Sequence, residues 1–164
     1  MQRYKRSIAN YQGGDLEMVA NDITSLDGFP THITGSFNCG SNQITSLVGG
    51  PQKVDGDYIC EDNRLTDFEG CASHIEGYIG SVDNQITSLV GIHKIIKSCI
   101  AIEFDSEKIT QGGIGLLLIA NLEDMSTSTE PFKIIKSYLG TGTKGMLDCS
   151  KELTAKGYGD YAKL

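Results

Sequence analysis

Three histidines, five cysteines and a surplus of acids are the residues of this chain able to do chemistry. A nucleophilic thiol needs a neighbouring base or cation, and Cys149, in Leu147-Asp148-Cys149-Ser150-Lys151, is the thiol with charged neighbours on both sides. Here the acid precedes the thiol and no histidine is near in sequence, so Cys149 reads as a helix-packing residue. His32, Lys53 and His74 stand 21 residues apart. A lysine between two histidines makes a weakly basic ladder, not a metal site, because the third ligand is missing. The odd cysteine count, with no zinc-type spacing, argues against a disulfide framework. No phosphate-binding loop, paired carboxylates or Ser/His/Asp arrangement is present, so neither enzyme activity nor a cofactor or metal is expected.

The elements that must position these groups come from one repeat. Asn21, Asn42, Asn63 and Asn84 recur every 21 residues, and the phrase Asn-Gln-Ile-Thr-Ser-Leu occurs at 42–47 and again at 84–89. Apolar columns keep the same register: Ile23, Ile44, Leu65 and Ile86, then Phe37, Tyr58, Ile79 and Ile100. Phe37/Cys39 and Tyr58/Cys60 have the i, i+2 spacing of a strand with one buried face. Two in-register glycine columns (Gly28, Gly49, Gly70, Gly91 and Gly35, Gly56, Gly77) mark two places where the backbone must bend tightly or take positive φ. A repeat of this length is one turn of a solenoid. The register places five parallel strands at 14–19, 35–40, 56–61, 77–82 and 98–103. Residues 1–13 then form an N-terminal cap, 14–104 the solenoid and 105–164 a helical C-terminal cap.

In that cap, Ile114–Ala120 is a continuous apolar run too short to cross a membrane, expected to pack on the open end of the sheet around Ile100 and Ile102. Pro131 opens a helix that stops at Gly140, and a second closes at Gly157. Met1-Gln-Arg-Tyr-Lys-Arg has charge but no apolar stretch behind it, so the expected location is the cytosol. Lys53, Arg64, Lys94 and Lys97 face thirteen acids within 14–104, leaving −9 on the repeat body of a chain whose net charge is −7. An acidic body is a poor phosphate binder, which argues against nucleic acid.

The strand register also sorts side chains into an inward and an outward set. Cys39 and Cys60 fall inward as buried thiols, whereas Cys99 falls outward. Ser36, Asn38, Asp57, Ile59, Glu61, Tyr78 and Val82 line the outward face. Acids mixed with a small apolar patch fit a protein partner carrying a basic, partly apolar surface.

The segment Tyr58-x-Cys60-x-x-Asn63-x-Leu65 resembles the leucine-rich-repeat pattern L-x-L-x-x-N-x-L. That resemblance implies buried asparagines forming a ladder (Asn21, Asn42, Asn63, Asn84), a parallel sheet with an irregular convex side, and partner binding on the concave sheet face. The longer phrase N-x-I-T-S-L-x-G-x-P-x-x-V-x-G-x-[FY]-x-C at 42–60 is similar to the degenerate leucine-rich repeats of large tailed bacteriophages. The tail segments 112–119, 131–140 and 149–158 are similar to the ends of those proteins. Departures are Ala72 and His93 where the pattern has Pro, and Ser81 and Ile102 where it has Cys. Some bacterial leucine-rich-repeat effectors carry a Cys-nucleophile ubiquitin-ligase domain, but the order Asp148-Cys149 and the short tail do not match it. The phage resemblance implies a module that binds a host protein such as a defence or metabolic enzyme inside an infected bacterium. Its alternatives are a virion accessory protein, or a small enzyme or ligand-sequestering protein with a pocket where Cys99, Cys149 and Tyr138 meet.

Overall fold

The structure, a computed structural model, describes residues 3–164. Its body is a leucine-rich-repeat-like parallel β-solenoid of about five turns with a 21-residue period and helices at the C-terminal end. One side of each turn adds a short strand to a parallel sheet in the order β1 (Leu16–Glu17), β3 (Phe37–Asn38), β5 (Tyr58–Ile59), β7 (Tyr78–Gly80), β8 (Ala101–Glu103), β9 (Asp124–Met125). The return path of three turns forms a second parallel sheet of β2 (His32–Ile33), β4 (Lys53–Val54) and β6 (His74–Ile75). Strands this short are stable because each is one rung of a stack whose inward side chains form a continuous core. Phe29, Phe37 and Tyr58 stack edge-to-face through it at 5.7 and 5.1 Å.

The register holds through the first three steps, pairing Leu16 with Phe37, Phe37 with Tyr58 and Tyr58 with Ile79. It then lengthens to 23 residues, Ile79 pairing with Ile102 and Ile102 with Met125. The extra residues belong to a short helix, α2 (Ile92–Ile95), on the return arc, where two of the earlier turns carry Pro30 and Pro51. Four expectations are therefore corrected. The fifth strand is 101–103 within the expected 98–103, Ile102 and not Ile100 fills the inward column, and Ile100 is exposed. Cys99 lies inside, fully buried, and Ala101 takes its place on the outer face. The solenoid also continues past 104 to a sixth strand, β9, and the Ser106–Ser128 hydroxyl contact ties its last corners together.

The apolar run at 114–120 is part of that added turn. It forms a 3-10 helix, Ile114–Leu118, stacked on α2, where a Cβ on Gly115 would lie 3.2 Å from Ile92 Cγ2. The open end is covered instead by α3 (Glu130–Ser137), whose Phe132 meets Phe104 at 4.9 Å, and by α4 (Gly142–Ala155) with a closing 3-10 helix, Gly159–Ala162. At the other end α1 (Arg3–Ala9) caps the stack through Tyr4 and Ile8, and Tyr11, just beyond the helix, packs against the same core. The Tyr11 hydroxyl donates to Gly14 O at 2.7 Å and accepts from Thr34 N at 3.0 Å.

Candidate functional site

Each interior asparagine links two turns. Asn63 Oδ1 accepts from Ile44 N (2.9 Å), and its amide reaches Cys39 O, Cys60 O and Glu61 O at 3.0–3.2 Å. Asn84 repeats the pattern with Leu65 N, Cys60 O, Ser81 O and Val82 O. Asn42 takes Asn21 N and Ile23 N and donates to Met18 O, Cys39 O and Gly40 O. Asn63 and Asn84 are buried and Asn42 half-buried. Asn21 opens the ladder, and its amide bonds only Val19 O of its own turn. In the fifth turn the corner changes chemistry: Lys108 Nζ reaches Asn84 O at 3.0 Å and Asp105 at 2.7 Å. The residue before each asparagine (Ala20, Ser41, Asp62, Asp83) has φ between 51° and 57°. The left-handed corner thus falls on non-glycine residues, mostly the short polar types that tolerate it best.

The outer face divides into two functions. Its first column is a second ladder: Asp15 Oδ1 accepts from Ser36 N (2.7 Å), Ser36 Oγ from Asp57 N (3.1 Å) and Asp57 Oδ1 from Tyr78 N (3.1 Å). Gly77 is required there, because a Cβ would overlap the Asp57 carboxylate. Ser36 and Asp57, candidates for partner contact, are thus bound up in holding turns together. Asn38 is likewise turned back, accepting Gly40 N at 3.0 Å.

The rest of the face is free of that duty. Glu61 lies across Gly80 beside the Tyr78 ring, a Cβ at Gly80 falling 2.5 Å from Glu61 Oε1 and 3.3 Å from Tyr78 Cε2. Ile59 and Val82 are half-buried alongside. Loss of solvent, then the charges of Glu103 and Asp83, push the Glu61 carboxyl above its ordinary range. The Tyr78 phenol is raised by burial and by Asp57, Glu61 and Glu103. Among the described residues no cation pairs with Glu61, Asp83 or Glu103. Nor is any group of three or more ligand-type side chains arranged to hold a metal among them. The 23-residue step sets Glu103 opposite Gly80, and so in the column of Ile59 and Gly80.

Every thiol is free and buried. Burial raises Cys60 and Cys99 to about 12 and Cys149 to about 11, and holds Cys39 and Cys71 well above the usual thiol range. The Tyr138 hydroxyl is engaged by Glu152 at 2.8 Å. On the second sheet His32, Lys53 and His74 are register neighbours, with Asp55 between the first two: Lys53 Nζ at 2.6 Å and His32 Nε2 at 3.0 Å. Lys53, then His32, holds the Asp55 carboxyl below its ordinary value.

Among the described residues three buried side-chain atoms lack a hydrogen-bond partner: the Tyr58 hydroxyl, His93 Nδ1 and Thr129 Oγ1. Tyr58 is fully buried among the thiols. Desolvating a hydroxyl without compensation costs about 1–3 kcal/mol. Tyr58→Phe is therefore expected to raise unfolding free energy by about 1 kcal/mol, read as a higher urea midpoint at unchanged slope. A loss of stability would show that the hydroxyl has a partner after all.

No protein-family model, no curated protein and no solved structure matches this chain.

Proposed function

We propose that this chain is a non-catalytic recognition module whose sheet face takes a basic, partly apolar protein surface. The target class is a bacterial host protein such as a defence or metabolic enzyme, bound by a phage-type leucine-rich-repeat protein in the host cytosol. The observation that carries the reading is Glu61, under the charge of Glu103, with no cation paired to either glutamate among the described residues, set beside Tyr78, Ile59 and Val82. Carboxylates held together without a cation are destabilised by mutual repulsion and by lost solvent. The sign follows: with its folded-state value raised, Glu61 contributes stability at low pH that is lost as pH rises through that raised value. A partner's lysine or arginine removes this penalty at neutral pH, and flanking aromatic and aliphatic groups supply area to bury. Thiols raised to about 11–12 are protonated at neutral pH, which supports a role without nucleophilic chemistry.

Arrays of Lys/Arg-rich peptides with and without aromatic residues provide the test, probed at low and high salt. Wild-type protein is expected to bind the basic-aromatic set and lose it with salt. Glu61→Gln/Glu103→Gln should weaken binding at least tenfold with the fold intact, while Glu69→Gln, away from the sheet face, leaves it unchanged. Equal binding by the double variant, or no peptide binding at any salt, defeats the proposal.

A further inference from the structure

The two edges of the longer sheet are finished differently. At β9 the Met125 N–H is taken by the Asp124 carboxylate at 2.7 Å, and Lys136 of α3 holds that carboxylate. At β1 no such closure exists among the described residues. Leu16, Met18 and Ala20 donate to Ser36 O, Asn38 O and Gly40 O of the second turn at 2.7–3.2 Å. Alternation turns the N–H groups of Asp15, Glu17 and Val19 to the opposite side, where β1 has no neighbouring strand. None of these three donates a hydrogen bond among the described residues, and the carbonyls of Asp15 and Glu17 accept none. The asparagine ladder is open at the same place. Asn42 and Asn63 reach back to Met18 O and Cys39 O of the preceding turn, whereas Asn21 bonds only Val19 O of its own.

A groove of about 560 Å³ runs along this edge, between β1 and the C-terminal half of α1 with the loop behind it. Exposed Arg6 stands on the helix wall and exposed Glu17 on the strand wall. Neither makes an ion pair among the described residues. Because α1 packs on the core through Tyr4 and Ile8, its wall lies to the inner side of the edge, while Glu17 belongs to the outer face. Free N–H and C=O groups repeating at every second residue are satisfied together by another extended backbone. A second copy pairing through the same edge sets Asp15 and Glu17 against their own counterparts, and like charges across a strand pair oppose it. The two walls instead select a strand with basic side chains toward Glu17 and acidic ones toward Arg6.

We propose that the β1 edge takes an extended segment of a partner protein as an added strand, with alternating basic and acidic side chains. The site lies two turns from Glu61 and makes no use of the sheet-face patch. Titration of the full chain with the acetylated, amidated hexapeptide Val-Lys-Glu-Lys-Val-Thr, followed by amide-resolved NMR, tests it. On saturation the Glu17 and Val19 amides should exchange about tenfold more slowly, while those of Leu16 and Met18, already bonded, stay unchanged. N-methylation of the peptide's glutamate and of its two lysines blocks opposite edges of the added strand, so one should abolish binding and the other leave it. Glu17→Lys should weaken the peptide about tenfold, and exchanging the peptide's lysines for glutamates should restore binding. Glu17→Gln, which should also weaken it, serves if the reversal unfolds the chain. Glu61→Gln/Glu103→Gln should bind the hexapeptide as wild type does. No binding, protection that does not alternate along 15–19, or equal loss on methylating either set overturns the proposal. So does binding that the sheet-face double variant removes, or self-association through β1 that the peptide does not displace.

Discussion

Asn63→Ala is expected to lower the unfolding free energy by about 3 kcal/mol. The side chain is 7 % exposed and serves four backbone groups on two turns. Alanine leaves Ile44 N–H and the carbonyls around it without that partner, in a space closed by the turns above and below. Each buried orphan costs about 1–3 kcal/mol, and partial re-pairing keeps the total near the upper end of one such loss. Cys39 O, for example, retains the Asn42 amide. The stronger test is the gradient along the ladder. Asn84→Ala should match Asn63→Ala, half-buried Asn42 should cost less, and Asn21, whose amide bonds only Val19 O, the least. Gln43→Ala, with no side-chain hydrogen bond beside the same ladder, should stay within about 0.5 kcal/mol. Urea unfolding at constant slope measures all five. Equal small losses throughout would mean that the asparagines are solvated turn residues.

The same residues show why part of this molecule was legible and part was not. A buried amide that must serve two turns tolerates no substitute, so Asn42, Asn63 and Asn84 survive in sequence while neighbours drift, and the period follows. The lengthened turn had no such marker. In 92–104 an isoleucine stands at 92, 95, 96, 100 and 102, so a two-residue slip still brings an apolar residue to the inward column. Ile100 is therefore a convincing substitute for Ile102 in the inward column, and a register that uses it puts Cys99 on the outer face. Left-handed corners escaped for a different reason. Glycine is the expected signal for positive φ, and it does mark Gly70, whose φ is 84°, but the corners before the asparagines use Ser41, Asp62 and Asp83. Ser-Asn and Asp-Asn pairs at a fixed register were the available signal. On the face, Ser36 and Asp57 have the composition of a binding surface. Only the backbone spacing of successive turns reveals that their side chains are consumed as acceptors.

Phe132→Ala is expected to cost about 4 kcal/mol, in the range for deleting a fully buried aromatic. Phe132 is 0 % exposed and sits edge-on between Phe104 at 4.9 Å and Tyr161 at 5.7 Å, so it joins the last coil to both the cap helix and the closing segment. Its helix also protects the last strand. Met125 N–H is taken by the Asp124 carboxylate (2.7 Å), and Lys136 of α3 holds that carboxylate at 2.5 Å, which blunts the open edge of β9. Truncation after Ser128 removes both protections together. It leaves Phe104, Ile114, Leu116 and Met125 facing water beside an uncapped strand, the combination that drives edge-to-edge association. A 1–128 chain should accordingly elute as aggregate by size exclusion with light scattering, whereas Phe132→Ala stays monomeric but melts earlier. A sharply folding, monomeric 1–128 fragment would make 129–164 an appendage, and the stack would then have to be closed by β9 alone.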